Sequence, residues 1–323
     1  MAIVIKGTGR ALPEKIVTND DLATIVATSD EWIRERTGIA QRHIATGDTV
    51  ASLASEAAKK ALEDANANAE DIDIIIVASC SSEMALPCVA CQVQSAIGAT
   101  KAVAFDLNAA CSGFLFALNT VDAYISSGVY SNALVIGAEV LSNIMDWEDR
   151  GTCILFGDGA GAAFVTKNDN GVTKPMSYVQ RSDGFKGDVL ACAQRDSSNA
   201  FYKGEEVSKY VTMDGREVFK FATRQVPEAI CELLEKTGLD ASDIDLYILH
   251  QANLRIIESI AKRLKVDSGK FPTNAARVGN TSSASIPILL DEVRKSGRLK
   301  KGMKVVMSGF GAGLTYSACL LEM

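Results

Sequence analysis

The sequence predicts an α/β protein built from two related halves. Its 323 residues are too many for one small core and suit two typical domains. A shift of 172 positions places Asp71-Ile72-Asp73 on Asp243-Ile244-Asp245 and Ile76 on Ile248. Each copy runs from an amphipathic helix through a polar loop into a continuous apolar segment. Such a segment is typical of a strand that is buried on both faces.

The remaining segments fit this class in chain order. The N-terminal residues predict a strand and a turn, and further strands are predicted at 71–79, 101–107, 132–139, 160–166, 243–251 and 304–310. Helices are predicted at 20–26, 51–65, 111–127, 216–236 and 254–264. Residues 182–210 are polar and irregular, so we expect a loop region. Because no low-complexity linker separates the halves, domains 1–170 and 171–323 are predicted to pack together.

Composition excludes several functional classes. A formal charge of −7 argues against a dedicated nucleic-acid binder, and 47% hydrophobic residues are ordinary for a globular protein. The sequence has no apolar run of roughly 18 residues, which a membrane-spanning helix would need. The N-terminus also lacks the basic start and cleavage site of a signal peptide. We therefore expect a cytoplasmic location and no membrane partner.

The eight cysteines indicate reduced thiols rather than a disulfide framework. Most of them stand singly among apolar or small residues, as Cys153 and Cys231 do. Cys88 and Cys91 have metal-like spacing, but no second pair or histidine element accompanies them. The sequence thus predicts no metal site and leaves room for one reactive thiol.

Cys111 is the nucleophile candidate. A predicted strand ends near Leu107, and a helix follows with apolar positions at Phe114, Leu118, Val121 and Ile125. A cysteine at the N-terminus of such a helix is exposed to unpaired N–H groups and the helix dipole, which can lower a thiol pKa to roughly 3.5–7.5. The competing interpretation is a small core cysteine.

Two residues of the second half are candidate partners for this thiol. His250 ends the apolar segment of the second copy, and catalytic groups of open sheets gather at such carboxyl ends. The other histidine, His43, lies in an arginine-rich segment and is interpreted as structural. Asn280 falls on Asn108 under the 172-residue shift, three residues before Cys111. Its side chain can donate to a developing negative charge or cap a helix, and both roles remain open.

Two glycine-rich segments need an explanation. SGFGAGLTY (308–316) follows a predicted strand, and its glycines suit either close approach of N–H groups to a substrate oxygen or a tight turn between strands. GDGAGA (157–162) lacks the strand-loop-helix context of a dinucleotide or phosphate loop.

Together these segments resemble the β-ketoacyl-acyl-carrier-protein synthase III family of the thiolase fold. The resemblance covers essentially the whole chain and includes SDEWIRERTGI, NAACSGF, DRGTCILFGDGAGAA, LHQANLRI, GNTSSASIP and GFGAGLTY. It implies a layered α-β-α-β-α core and a homodimer. It also implies a catalytic triad of Cys111, His250 and Asn280, with an oxyanion hole formed by the N–H groups of Cys111 and Gly311.

The resemblance implies a reaction in two halves. An acyl-CoA, most simply acetyl-CoA, transfers its acyl group to Cys111. Malonyl-acyl carrier protein then loses carbon dioxide while His250 and Asn280 hydrogen-bond its thioester oxygen. The resulting carbanion attacks the acyl-Cys111 and releases 3-oxoacyl-acyl carrier protein, the first step of fatty acid biosynthesis. No cofactor is implied, because both substrates arrive as thioesters.

The resemblance also implies binding positions. Trp32 and Arg150 match positions that sandwich the CoA adenine, and Leu86 matches one that closes the acyl pocket across a dimer interface. Other CoA and pantetheine positions fall on Thr28, Arg36, Gly151, Phe219, Ala252 and Asn253. Docking of the acidic carrier protein is implied for Lys220, Arg255, Lys262 and Arg263. Tyr316 departs from the Trp of many relatives, and no consequence is assigned to it.

Several alternatives stay open. The chain could be another condensing enzyme of this fold, such as a polyketide or hydroxymethylglutaryl-CoA synthase. It could also be a non-catalytic thioester-binding subunit or an acyl-thioester hydrolase. A degradative thiolase is disfavoured, because it needs a second active-site cysteine in the C-terminal glycine loop and GFGAG has none.

Overall fold

Two large β-sheets separated and covered by helices form the protein, for which the computed structural model describes residues 2–168, 176–193 and 195–323. The strands are β1 (Ala2–Ala11), β2 (Ile16–Thr18), β3 (Gln41–His43), β4 (Ile74–Ala78), β5 (Val103–Leu107), β6 (Asn132–Glu139), β7 (Gly159–Asn168), β8 (Ser177–Ser182), β9 (Leu190–Ala191), β10 (Thr212–Met213), β11 (Leu246–Leu249), β12 (Lys304–Gly311) and β13 (Thr315–Glu322). The helices are α1 (Asn19–Leu22), α2 (Asp30–Thr37), α3 (Val50–Ala65), α4 (Val89–Ile97), α5 (Gly113–Ser126), α6 (Gly215–Thr237), α7 (Leu254–Leu264), α8 (Ala275–Val278) and α9 (Ser285–Lys295).

The two sheets share one central helix layer. The first sheet has the strand order β1-β7-β6-β4-β5, and the second has the order β11-β12-β13-β8. Because side chains alternate along a strand, Ile74 and Ile76 of β4 pack toward α5 and α9, whereas Ile75 packs toward α3 and α4. In β11, Ile248 joins the central layer and Tyr247 packs with α6 and α7. The apolar runs are therefore strands covered on both faces, in five layers ordered α-β-α-β-α.

The internal duplication is visible in the element bounds. A shift of 172 takes the start of β4 to that of β11, β6 to β12 and α5 to α9. It also takes the 3₁₀ turn at 110–112 to the one at 282–284. The second half has α8 where the first has the edge strand β5. The predicted domain boundary between residues 170 and 171 lies outside the described residues, so that division stays a prediction.

Most predicted elements form, and the deviations have local causes. The predictions at 132–139 and 254–264 match β6 and α7. The helix predicted at 20–26 ends at Leu22, because the Thr24 hydroxyl donates to the Asp21 carbonyl (2.7 Å). The Ile25 N–H then donates to the Leu22 carbonyl, three residues back, and not to the Asp21 carbonyl, as it would in an α-helix. The loop region 182–210 holds a 3₁₀ segment (184–189) and the short strand β9.

Candidate active site

Cys111 lies on a strained turn between the edge strand β5 and the buried helix α5. It belongs to the 3₁₀ turn Ala110–Ser112, and α5 begins two residues later at Gly113. Ala110 has a φ of +47°, a left-handed conformation that an L-residue adopts only at a cost. The Asn108 side-chain oxygen accepts the Ala110 N–H at 3.1 Å and stabilises this turn. The turn therefore fixes the position of the thiol at the start of α5, as the sequence pattern predicts.

The expectation of a lowered thiol pKa is wrong. Burial and, to a smaller extent, the negative charge of Glu139 raise the pKa of Cys111 to about 12. A hydrogen bond with the Ser282 side chain acts in the opposite direction. The thiol is therefore protonated at neutral pH, and its proton must be removed when the sulfur reacts.

His250 follows β11 directly and is held by a buried network. Its N–H donates to the Ser308 carbonyl (2.9 Å), and its ring meets that of Phe310 edge-on with centroids 5.4 Å apart. The next residue, Gln251, donates its N–H to the Ser285 hydroxyl at 2.7 Å. Burial lowers the pKa of His250 to about 3, so the imidazole is neutral at physiological pH.

Asn280 repeats the backbone arrangement of Asn108 in the second half. Its Oδ1 accepts the N–H of Ser282 at 2.9 Å, just as the Asn108 oxygen accepts that of Ala110. Asn280 lines the larger cavity, and with its Oδ1 bound to a backbone N–H, its Nδ2 group remains as the donor of this side chain. The capping and donor interpretations of Asn280 are therefore compatible.

The glycine segment 308–316 brings a second backbone against Cys111. Gly311 ends β12, and a Cβ atom at this position would lie 2.6 Å from the Cys111 nitrogen. Only glycine allows this approach. Gly311 pairs with Thr315 across the β12–β13 hairpin. The segment is therefore a tight turn between two strands, and the approach of its N–H groups to a substrate oxygen stays a prediction.

Two cavities meet at Cys111. The larger, about 760 Å³, runs from Trp32 to Cys111, His250 and Asn280. The smaller, about 350 Å³, extends from Cys111 on another side. Its mostly apolar lining includes Leu141, Ile144, Phe156, Leu190 and Val211. The thiol therefore lies where a long entrance channel joins a small, largely apolar pocket.

Comparisons with known proteins decide the family. The family models described as 3-oxoacyl-[acyl-carrier-protein] synthase III and its C-terminal part match residues 105–184 and 234–323. A β-ketoacyl-[acyl-carrier-protein] synthase III of Clostridium acetobutylicum is 49% identical over 324 residues, covering 99% of this chain and 98% of the relative. This chain belongs to the 3-oxoacyl-acyl-carrier-protein synthase III family.

Solved structures agree with this membership. The 3-oxoacyl-[acyl-carrier-protein] synthase III of Aquifex aeolicus superposes with a TM-score of 0.94 at 43% identity, with all of both chains covered. A priming β-ketosynthase of a polyketide biosynthetic pathway gives a TM-score of 0.91 at 34% identity, covering 99% of this chain and 96% of the other. The predicted thiolase fold is therefore confirmed, and the chain belongs to a family of condensing acyltransferases.

The CoA positions predicted from the resemblance surround the mouth of the larger cavity. The guanidinium carbons of Arg36 and Arg150 lie 4.3 and 4.5 Å from the Trp32 ring centroid, so Arg150 occupies the space that an adenine between it and Trp32 would take. Asn253 lines the cavity but caps α7 and donates to the Arg36 carbonyl (3.0 Å). Gly151, Phe219 and Ala252 also line it. Thr28 is not among the lining residues.

The predicted docking and pocket positions lie apart from Cys111, His250 and Asn280. Lys220, Lys262 and Arg263 are exposed, and Arg263 pairs with Glu228 at 3.2 Å. Only Arg255 of the docking set also lines the larger cavity. Leu86 is 82% exposed and lines neither cavity.

Sequence reasoning missed several residues of the site. Arg216, at the start of α6, lines the larger cavity. Glu139 and Ser282 lie behind Cys111, and Gln251 braces the loop after His250. An acidic residue at the carboxyl end of the apolar strand NALVIGAE was the available signal for Glu139.

Among the described residues, no helix is long and apolar enough to cross a membrane.

Proposed function

We propose that this chain condenses an acyl-CoA with malonyl-acyl carrier protein, with loss of carbon dioxide, through an acyl-Cys111 intermediate. The product is a 3-oxoacyl-acyl carrier protein, and the reaction starts fatty acid biosynthesis. One observation carries the proposal: a single cavity joins the entrance at Trp32 to Cys111, His250 and Asn280. A thioester that enters through it reaches a nucleophile and two polar side chains at once.

In the first half-reaction, the Cys111 sulfur attacks the acyl-CoA carbonyl carbon. The N–H groups of Cys111 and Gly311 stabilise the oxyanion, which is supported by the contact between these two backbones. The carbon–sulfur bond to CoA then breaks. The scheme needs no metal or redox cofactor, because both substrates are already activated as thioesters.

In the second half-reaction, His250 and Asn280 donate hydrogen bonds to the thioester oxygen of the malonyl group. Loss of carbon dioxide leaves an enolate, whose charge these two donors stabilise. The low pKa of His250, about 3, supports a neutral imidazole that donates one N–H. The enolate carbon attacks the acyl carbonyl, the new carbon–carbon bond forms, and Cys111 leaves as a thiolate.

We assign the entrance residues to CoA. Trp32 and Arg150 take the adenine between them, which requires Arg150 to move from its present place over the indole. The chain of lining residues supports a pantetheine path along Arg36, Gly151, Phe219, Ala252 and Asn253. We also assign Thr28 to CoA binding, from behind this path. Its neighbour Ala27 has a carbonyl that accepts a hydrogen bond from Arg150 at 3.0 Å.

We assign carrier-protein docking to the exposed basic side chains near the entrance. Arg255 is the member of the set closest to the channel, since it also lines the cavity. Lys220, Lys262 and Arg263 extend the basic surface along α6 and α7 of an otherwise acidic protein. We expect Arg255→Glu to weaken carrier-protein use more than Arg263→Glu, because Arg263 is already paired with Glu228.

We also propose a homodimer in which Leu86 of each protomer closes the acyl pocket of the other. The edge strand β5, with Val103 half exposed, and the exposed Met84 and Leu86 side chains support such an interface. Mass measurement in solution tests the assembly. The cytoplasmic location stays a prediction.

Intact-protein mass spectrometry after incubation with acetyl-CoA tests the function. We expect an adduct of about 42 Da on the wild type and none on Cys111→Ser, and discharge of the adduct by malonyl-acyl carrier protein. An adduct that only water discharges would favour a thioester hydrolase. No adduct with any acyl-CoA would refute the proposed function and favour a non-catalytic subunit.

A second candidate function differs only in the starter group. The similarity to a priming β-ketosynthase of a polyketide pathway and the pocket of about 350 Å³ favour testing starters longer than acetyl. An acyl-CoA series from acetyl to branched and longer chains distinguishes the two. A strong preference for longer starters would favour a polyketide role and keep the same chemistry.

A further inference from the structure

Arg42 lies fully buried in the short strand β3 and takes no part in the proposed chemistry. It is among the largest side chains without exposed surface. Its guanidinium donates to the Val17 carbonyl (3.3 Å), the Asn19 side-chain oxygen (2.8 Å) and the Ile154 carbonyl (2.6 Å). All three acceptors are neutral. Burial lowers the pKa of Arg42 to about 10, so the side chain still carries its charge at neutral pH.

The guanidinium joins segments that are distant in sequence. A buried charge is costly unless hydrogen bonds compensate for its lost hydration. A planar guanidinium can hold several acceptors in fixed directions at once. The three acceptors of Arg42 lie 23, 25 and 112 residues away from it along the chain. The contact with Ile154 is the longest of these, and it reaches a segment that lines the larger cavity.

That segment holds the backbone of Asn280 at both of its polar groups. The Asn280 N–H donates to the Leu155 carbonyl (2.9 Å), and the Asn280 carbonyl accepts the N–H of Gly157 (3.0 Å). The carbonyl bound by Arg42 is that of Ile154, which directly precedes Leu155. The guanidinium is therefore one residue away from the hydrogen bonds that fix the position of Asn280.

The stem of Arg42 packs against the same two segments. A Cβ atom at Gly157 would lie 3.1 Å from the Arg42 Cβ, and one at Gly279 would lie 3.2 Å from it. Gly279 directly precedes Asn280 and has a left-handed φ of +71°, which glycine adopts without strain. Both segments therefore lie so close to Arg42 that even an added methyl group would be crowded.

The turn that carries Cys111 is held by different groups. The Asn108 side-chain oxygen accepts an N–H of this turn, and the Thr315 hydroxyl lies 3.2 Å from the Ala109 carbonyl. The three described hydrogen bonds of the Arg42 guanidinium end elsewhere. A change at Arg42 should therefore shift the loop of Asn280 and leave the nucleophile in place.

We propose that Arg42 is a positioning residue that holds the Asn280 amide where the enolate of the malonyl group forms. This inference rests on the proposed function and concerns its second half-reaction, the only one that uses Asn280. Arg42 lines neither cavity and acts through the backbone of residues 154–157. A misplacement of about 1 Å can cost 10²-fold in rate. Loss of the guanidinium should thus slow condensation far more than acylation.

Arg42→Met tests this role, because methionine keeps an unbranched stem and removes every donor. Quenched-flow mixing with intact-mass detection measures two rates. The first is the formation of acetyl-Cys111 with saturating acetyl-CoA, and the second is the discharge of this adduct by saturating malonyl-acyl carrier protein. We expect the discharge rate to fall about 10²-fold and the acylation rate to stay within about threefold of wild type.

Arg42→Lys supplies a milder variant of the same test. Lysine keeps the charge and its donors but lacks the planar fork, so we expect the discharge rate to fall about tenfold. Should Arg42→Met fail to fold, Arg42→Lys carries the comparison of the two rates. Equal losses in acylation and discharge, or a discharge rate like that of the wild type, would overturn the positioning role.

Thr8→Val is the matched structural control. Thr8 is also fully buried, and its hydroxyl donates to the Asp291 carboxylate at 2.9 Å, a contact between β1 and α9. Valine has nearly the same shape but cannot make this hydrogen bond. Thermal melting reports the loss of stability in each variant. We expect Thr8→Val to keep the wild-type ratio of the two rates, and a lowered ratio like that of Arg42→Met would show that destabilisation alone explains the effect.

Hydrogen exchange separates this inference from the proposed function, because it needs no substrate. In the Arg42 variants we expect the amides of residues 154–158 and 279–281 to exchange at least tenfold faster than in the wild type, with residues 110–116 unchanged. If the wild type forms no acetyl adduct yet this contrast holds, the proposed function fails, and Arg42 still positions the Asn280 loop. If the wild type completes both half-reactions and neither exchange nor discharge responds to the Arg42 variants, only this inference fails.

Discussion

The two strand-to-helix corners of this chain share a backbone and differ in their side chains. Each has an asparagine whose oxygen accepts the N–H two residues on, followed by a left-handed residue and a buried helix. The first corner places Cys111 where the second has Ser283. Duplication thus supplied two copies of one anchoring geometry. Under the proposed function, sequence divergence then gave one copy the nucleophile Cys111 and the other copy the amide donor Asn280.

Replacing Cys111 by serine makes the first corner chemically like the second and should have the largest effect. We expect Cys111→Ser to reduce acylation at least 10³-fold, because a buried hydroxyl is a far weaker nucleophile than a thiol at neutral pH. Quantifying the acyl-enzyme by intact mass checks this. Ser283→Ala, the matched change in the second corner, should keep acylation within about threefold. Comparable acylation by Cys111→Ser would contradict the division of roles.

The paired asparagines give the next largest contrast. Asn280→Ala should slow decarboxylation of malonyl-acyl carrier protein about 10²-fold, since the donor to the enolate is lost. Asn108→Ala removes only the bond to Ala110 and should cost about 1 kcal/mol of unfolding free energy with less than tenfold loss of activity.

Release of carbon dioxide and urea denaturation separate these two effects. Equal catalytic losses in both asparagine variants would mean that the amide serves the backbone alone. In that case the second corner would hold no donor for the enolate.

Sequence reasoning reached the two α/β halves and both corners because these leave local patterns, whereas the order of the layers came from the family resemblance. The 172-residue repeat and the apolar runs determine the strands, and the turn before α5 follows from the small residues beside Cys111. Glu139 escaped notice because its importance comes from neighbours distant in sequence, such as Ser282 and Ser283. The raised pKa of Cys111 was missed for a similar reason. Burial by the whole fold outweighs the helix N-terminus that local sequence indicates.

Ala78 at the carboxyl end of β4 and His250 at that of β11 occupy matched positions of the two halves. Only His250 can titrate, so the two positions differ in how they make stability depend on pH. Because burial holds the folded-state pKa of His250 near 3, below the unfolded value of about 6.5, only the unfolded chain gains a proton between these values. The contribution of His250 to stability is therefore complete above pH 6.5 and falls as the pH drops toward 3. His250→Ala removes this dependence.

Urea denaturation at several pH values measures that contrast. Between pH 6.5 and 5, we expect the wild type to lose about 2 kcal/mol more than His250→Ala. The pKa of Asp122 is raised by burial to about 6, so its contribution runs in the opposite direction, but it is common to both proteins and cancels in the difference. Parallel curves would show that folding leaves the pKa of His250 unchanged, so that the folded and unfolded proteins take up its proton alike.

The smallest expected effect tests the strain shared by the corners. Ala110→Gly relieves a left-handed φ and, after the entropy gained by the unfolded chain, should stabilise the protein by about 0.5–1 kcal/mol. Ser282→Gly relieves the same strain but also removes the hydroxyl bond to Glu139, worth about 1 kcal/mol, so its net effect should be near zero or destabilising. The difference between the two unfolding free energies measures what the hydroxyl adds to a common backbone. Stabilisation of equal size at both corners would mean that the Ser282 hydroxyl contributes nothing to folding.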